Sequence, residues 1–129
     1  MTRIQLARAA FALMFVLAGS LHFAAPAYYR SVMPPFLPAP AALVAVTGAA
    51  EIAGGLGLLI PSLRPAAGIG LMLLLVAVLP ANVEMLRQAR AQGASPMVEG
   101  LLWLRLPFQL VLIWLAWRLS RKDRADHAG

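Results

Sequence analysis

A single carboxylate, Glu51, stands inside the apolar run 39–60, eleven positions after Pro40 and nine before Ile60. A charged carboxylate deep in a bilayer costs about 2.5–3.5 kcal/mol on insertion scales, so it needs a partner or a task. The last apolar run, 101–119, supplies Arg105. A guanidinium can hold a carboxylate through two parallel hydrogen bonds. With a helix start at Pro96, Arg105 lies about 14 Å into its span at 1.5 Å per residue, close to the depth of Glu51. Such a pair can fix the order of helices. It can also form a polar site that takes a ligand or relays a proton.

Other groups able to do chemistry gather near the same level. Thr47 is four positions before Glu51 and shares its helical face, and Gln109 lies one turn beyond Arg105 on the same face. His22 falls at the outer end of the first apolar run. Imidazole titrates nearest neutral pH of any side chain, so His22 reads either as a proton donor or as an interfacial residue capping a helix end. Asn82 follows Pro80 and is expected to satisfy backbone groups that the proline frees. Glu84 is expected to be solvated. His22, Asn82, Arg105 and Glu51 come from four different helices and converge on one level, which predicts a pocket. A metal site is not expected, because His127 lies in the opposite tail and no second ligand stands at helical spacing from His22. Met14, Met72 and Met85 read as lipid-facing or packing residues. Walker, dinucleotide, HExxH and nucleophile-elbow motifs are all missing from the sequence.

Positioning these groups requires helices that cross a membrane. The chain has 129 residues, 61% of them hydrophobic and 12% charged, where soluble domains average about 25% charged. Four segments approach or exceed the roughly 20 helical residues that span a hydrocarbon core. They are predicted over 4–23, 39–60, 66–85 and 97–119, the last opened by Ser95-Pro96 as cap and first helical residue. No stretch remains for a second domain, so residues 1–129 are expected to form one all-α integral membrane four-helix bundle. The chain has no cysteine, which rules out disulfide scaffolding, thiol catalysis and thiolate metal sites.

The net charge of +6 is distributed like a topology signal. Arg3, Arg8, Arg64, Arg118, Arg121, Lys122 and Arg124 fall on one side of an even number of spans, against Arg30, Arg87 and Arg90 on the other. Seven against three places both termini in the cytoplasm. The basic tail 118–129 then anchors topology at anionic lipid and does not form a nucleic-acid patch. Arg3, Arg8, the run 11–17 and Ala25-Pro26-Ala27 imitate a secretory signal. Cleavage would leave three spans and move the basic tail outside, so an uncleaved first helix is expected.

Prolines and glycines set the connections. Pro26, Pro34, Pro35 and Pro38, with Tyr28, Tyr29 and Phe36, predict an outer loop of extended or short-turn chain that caps the mouth of the bundle. Pro61 to Pro65 make a tight inner turn, and residues 87–93 read as a polar loop. Gly48, Gly54, Gly55 and Gly57 permit close helix approach. Pro80 ends or kinks the third helix, because it gives no hydrogen bond to the carbonyl of Val76, and Pro107 is a candidate kink in the fourth. Trp103 and Trp117 mark the two membrane interfaces.

Gly19-Ser20-Leu21-His22-Phe23, Met33-Pro34-Pro35-Phe36-Leu37-Pro38, Thr47-Gly48-Ala49-Ala50-Glu51, Pro80-Ala81-Asn82-Val83-Glu84-Met85 and Arg105-Leu106-Pro107-Phe108-Gln109 occur in that order. Together they resemble the DoxX-like family of small bacterial membrane proteins, over about residues 5–118. The resemblance implies a four-helix bundle of the bacterial inner membrane, with Glu51 and Arg105 on positions the family pattern also occupies. It also implies association with quinone-linked redox complexes, since the family takes its name from a subunit associated with a thiosulfate:quinone oxidoreductase. A sulfur-exchange role does not carry over to a chain without cysteine.

The resulting expectation is an accessory or binding subunit more than an enzyme on its own. It would hold a quinone, a lipid or a membrane partner at a polar site built on Glu51 and Arg105, with His22, Asn82, Gln109 and Thr47 around it. No cofactor is expected from the chain itself, and oligomers remain compatible. The alternative is a quinone-linked oxidoreductase subunit that moves protons through Glu51 or His22, although the chain carries no redox group of its own. A proton-coupled transporter or an assembly chaperone is the further alternative, with Pro80 and Pro107 as the hints of broken helices that transporters use.

Overall fold

The computed structural model describes residues 1–121. Lys122, Arg124 and His127, with the rest of the expected tail, lie outside the described residues. Six helices follow in order: α1 (Arg3–Ala24), α2 (Pro26–Ser31), α3 (Pro40–Leu59), α4 (Arg64–Ala77), α5 (Leu79–Ala91) and α6 (Pro96–Leu119). No strand forms among the described residues. Four helical spans are long and apolar enough to cross a membrane: α1, α3, α6, and α4 with α5 counted as one segment, Arg64–Ala91.

Local chemistry explains the boundaries. Thr2 caps α1 in a reciprocal box with Gln5, each side chain accepting from the other's backbone N–H. Proline occupies the first turn of the five later helices, where its missing N–H costs nothing. Ser95 caps α6 by accepting from the Val98 N–H at 3.4 Å. Ala39 enters α3 with φ of 47°, a left-handed conformation that strains a residue with a side chain. The turn at 60–63 is tight, as expected, and closes through Leu63 N–H and Arg64 N–H donating to the Ile60 carbonyl, both at 3.0 Å.

Two connections differ from expectation. The Pro-rich loop contains a helix: Pro26 starts α2 instead of excluding it, so only the stretch between Ser31 and Pro40 is irregular. Residues 87–91 are helical, not loop. Helix α5 ends in two backbone bonds, Ala94 N–H to the Ala89 carbonyl (2.9 Å) and Gly93 N–H to the Arg90 carbonyl (3.2 Å). Gly93 takes φ of 68° to make them, the usual glycine stop. Helix α6 continues through Pro107. Pro80 behaves as expected, and the helix breaks at Val78 between α4 and α5.

Helix α1 packs along α3, α3 against α4, and both α4 and α5 against α6. The α1–α3 contact depends on facing glycines. A methyl on Gly19 would meet the Gly48 carbonyl oxygen at 2.6 Å, and one on Gly48 would meet the His22 Cβ at 2.6 Å. Phe11, Phe15, Leu58, Leu71, Leu75 and Leu119 form the buried core.

Candidate functional site

Above that core lies a cavity of about 460 Å³ whose wall draws on all six helices. Phe15 and Leu75 belong to both, so the floor of the cavity is the top of the core. Tyr28, Tyr29, Val32, Met33 and Leu37 close one side, which gives the Pro-rich segment the capping place expected of it. Glu51, Arg105, His22, Asn82, Gln109 and Thr47 all line this one cavity. The convergence read from depth is therefore present, but the bonding within it differs.

Glu51 and Arg105 do not pair. The carboxylate's ionic contact is His22, with Nε2 3.6 Å from Oε1, and its Oε2 is buried without a hydrogen-bond partner. The Arg105 side chain is exposed, and its Nη1 touches the Met85 sulfur at 3.5 Å. The reason is rotational. Counting residues fixes the depth of a side chain in a span, while the direction it faces depends on how the helices pack.

His22, in the last turn of α1, is buried among the helices, and its ring bonds to α3 and caps no helix end. Its Nδ1 lies 3.0 Å from the Val44 carbonyl and 3.1 Å from Thr47 Oγ1. A carbonyl can only accept, so Nδ1 carries a hydrogen. The opposite nitrogen, Nε2, faces the Glu51 carboxyl group at 3.6 Å. Gly48 permits this contact, because it leaves α3 no side chain at the place where His22 crosses. The Thr47 hydroxyl turns back to the Leu43 carbonyl (2.8 Å) and offers its oxygen to His22.

Asn82 and Gln109 form a second group. Asn82 Nδ2 donates to Gln109 Oε1 (3.0 Å), and Gln109 Nε2 donates to the Leu75 carbonyl (2.7 Å), one turn before the break at Val78. Satisfying the backbone near the proline thus falls to Gln109 from α6, and Asn82 orients it. Glu84 is likewise corrected. It is buried, and Arg87 holds it through two bonds, with Nε 2.9 Å from Oε2. The i,i+3 spacing of the pair was readable in the sequence. Gln88 reaches from Glu84 to the Ser31 carbonyl (2.9 Å), tying α5 to the end of α2.

Two residues of the wall escaped sequence reasoning. Tyr29 stacks on His22 with ring centroids 4.0 Å apart. Burial pushes its phenol above the ordinary tyrosine range, and the charge of Glu51 adds to that rise. Met85, expected in packing, joins the wall with Met14. Met85 and Asn82 are three apart, which places them on one helical face. Among the described residues, no cluster of three His, Cys, Asp or Glu side chains could hold a metal.

The family model described as a domain of unknown function (DUF8561) matches residues 11–120. The chain belongs to that family. The match contains all six helices except the first turns of α1, and every residue of the cavity wall, so the cavity is a feature of the DUF8561 domain. No curated protein and no solved structure matches the chain.

Proposed function

We propose that this protein is a multi-pass protein of the bacterial inner membrane, a four-helix bundle with both termini in the cytoplasm. In this reading it is an accessory or binding subunit that holds a small hydrophobic ligand, a quinone or a lipid, in the cavity. One observation carries the reading. An apolar chamber of about 460 Å³ has a carboxyl group on its wall with one oxygen buried and unpartnered. Ligand sites commonly take this form, about 300–1,000 Å³, mostly apolar, with a few convergent polar groups. The seven-to-three distribution of cations supports the orientation, and the DoxX-like resemblance supports the bundle and its compartment. Reporter fusions to the tail and to the loop at 92–95 test the orientation, and reporter activity of the outer kind at the tail would reverse it.

The ligand reading is tested by extracting the protein from membranes and measuring what leaves with it by mass spectrometry. A stoichiometric quinone or lipid, lost in Arg105→Ala or Glu51→Gln while the helical circular dichroism persists, is the expected result. An empty wild-type protein that gains nothing when quinone or lipid is added back refutes it.

The His22–Glu51 contact favours one second reading, a quinone-linked oxidoreductase subunit in which this pair passes a proton and a partner protein supplies the redox group. If Glu51→Gln keeps fold and ligand but abolishes quinone-linked electron transfer in membranes, this second reading replaces the first.

A further inference from the structure

The cation on the cavity wall has no ion-pair partner among the described residues. Arg105 has no acidic group within ion-pair reach among the described residues, and its guanidinium contact is the neutral Met85 sulfur. Glu51 lies beyond ion-pair reach of that guanidinium, and its own ionic contact is His22. Tyr29 stays neutral well above physiological pH. Asn82 and Gln109 are bonded to each other and to the backbone. The chamber therefore presents one guanidinium without an ion-pair partner, on a side chain that is itself exposed. In a low-dielectric setting an unpaired charge is expensive, and a bound opposite charge relieves that cost. The remainder of the wall, including Met14, Phe15, Ala18, Leu43 and Leu112, is apolar.

We propose that the ligand of this site is an anionic amphiphile, its acid group on Arg105 and its hydrocarbon chain in the apolar chamber. This rests on the ligand-binding reading above and narrows it, since a neutral quinone would leave the Arg105 charge in place. The acid group has two sources, a free long-chain carboxylate or the phosphate of an anionic phospholipid. A guanidinium recognises both through the same paired donors.

The test uses the full chain in discs of zwitterionic lipid, with binding of radiolabelled palmitate measured against methyl palmitate, phosphatidylglycerol and a short-tailed benzoquinone as competitors. The two palmitates share a chain and differ in charge. Palmitate is expected to bind at least about tenfold more tightly than its ester, the worth of one charge-assisted bond. Arg105→Gln is expected to bring the acid down to the level of the ester, and Arg105→Lys to retain part of the difference. Competition by phosphatidylglycerol identifies the membrane lipid as the source, and its failure to compete identifies the free acid.

Equal binding of acid and ester to the wild-type chain overturns the proposal and leaves the ligand reading intact, as does displacement of palmitate by the quinone with equal potency in wild type and Arg105→Gln. If palmitate, ester, phosphatidylglycerol and quinone all fail to bind, the ligand reading falls with it. The acid-to-ester comparison is made on the unmodified protein, so it decides the matter even if Arg105→Gln does not fold.

Discussion

The two ends of the helices treat arginine in opposite ways. At the end holding the 60–63 turn, Arg8 and Arg64 are buried, with 2% and 5% of their surface exposed. Arg8 Nε donates to the Leu119 carbonyl (2.8 Å) and its Nη2 to the Arg121 carbonyl (3.5 Å). Arg64 Nε donates to the Leu58 carbonyl (2.9 Å). Leu119 ends α6 and Leu58 lies in the last turn of α3, so those two carbonyls have no helical donor and carry the negative end of the helix dipole. At the other end, Arg105 is exposed and touches a thioether, while one oxygen of Glu51 is buried without a bond. Cations placed on orphan carbonyls hold structure together. A cation and an acid left incompletely bonded around a cavity hold a place open. Composition alone does not separate the two kinds of arginine, and the bonding does.

The contrast is broken or sharpened most forcefully at Arg8. Arg8→Ala strands buried carbonyls and is expected to lower unfolding stability in detergent by about 3 kcal/mol. Reversible denaturation monitored by circular dichroism measures it, and a loss no larger than that of Arg105→Ala would erase the distinction. Gln109→Ala, in the bonded Asn82–Gln109 group of the cavity wall, should cost about 2 kcal/mol by orphaning Asn82 and the Leu75 carbonyl. Gly48→Ala should cost about 1–3 kcal/mol through overpacking against His22, whereas Gly100→Ala, with nothing within 4 Å, should be neutral or slightly stabilising.

Smaller effects belong to the cavity itself. Tyr29 has its folded pKa raised above 10.0, so its contribution to stability is intact below that pH and disappears as pH rises through the folded value. Titrating tyrosinate absorbance should show a late wave that Tyr29→Phe removes, accompanied by a loss of stability in the same alkaline window in wild type alone. Smallest of all, Arg105→Ala should not lower stability in the same denaturation measurement, because no ion pair is lost with the guanidinium, despite its effect on ligand retention.

Much of the scaffold was legible before any coordinates. Apolar run length located the four spans, and proline and serine at helix starts located α3 and α6. Pro80 located the break at Val78. Helix α2 was hidden because paired prolines drew attention away from Pro26, which is itself a start signal. The candidate site was legible as a set of residues and not as a set of bonds. Glu51, Arg105, His22, Asn82, Gln109 and Thr47 reach one cavity because depth is countable at a fixed rise per residue. Their partners depend on helix rotation, and rotation depends on which small residues face each other. The partnership of His22 with Glu51 was encoded in Gly19 and Gly48, whose positions the sequence displays but whose mutual contact it does not.

The hydrogen atom that Gly48 presents to His22 makes the reach of a side chain a matter of backbone spacing. A methyl there would stand 2.6 Å from the His22 Cβ, so α1 and α3 would have to part to admit it. The 3.6 Å meeting of imidazole and carboxyl is therefore hostage to the distance between two backbones, and anything that pries those helices apart, from a wedge of lipid to a thinner bilayer, would open it without touching either side chain.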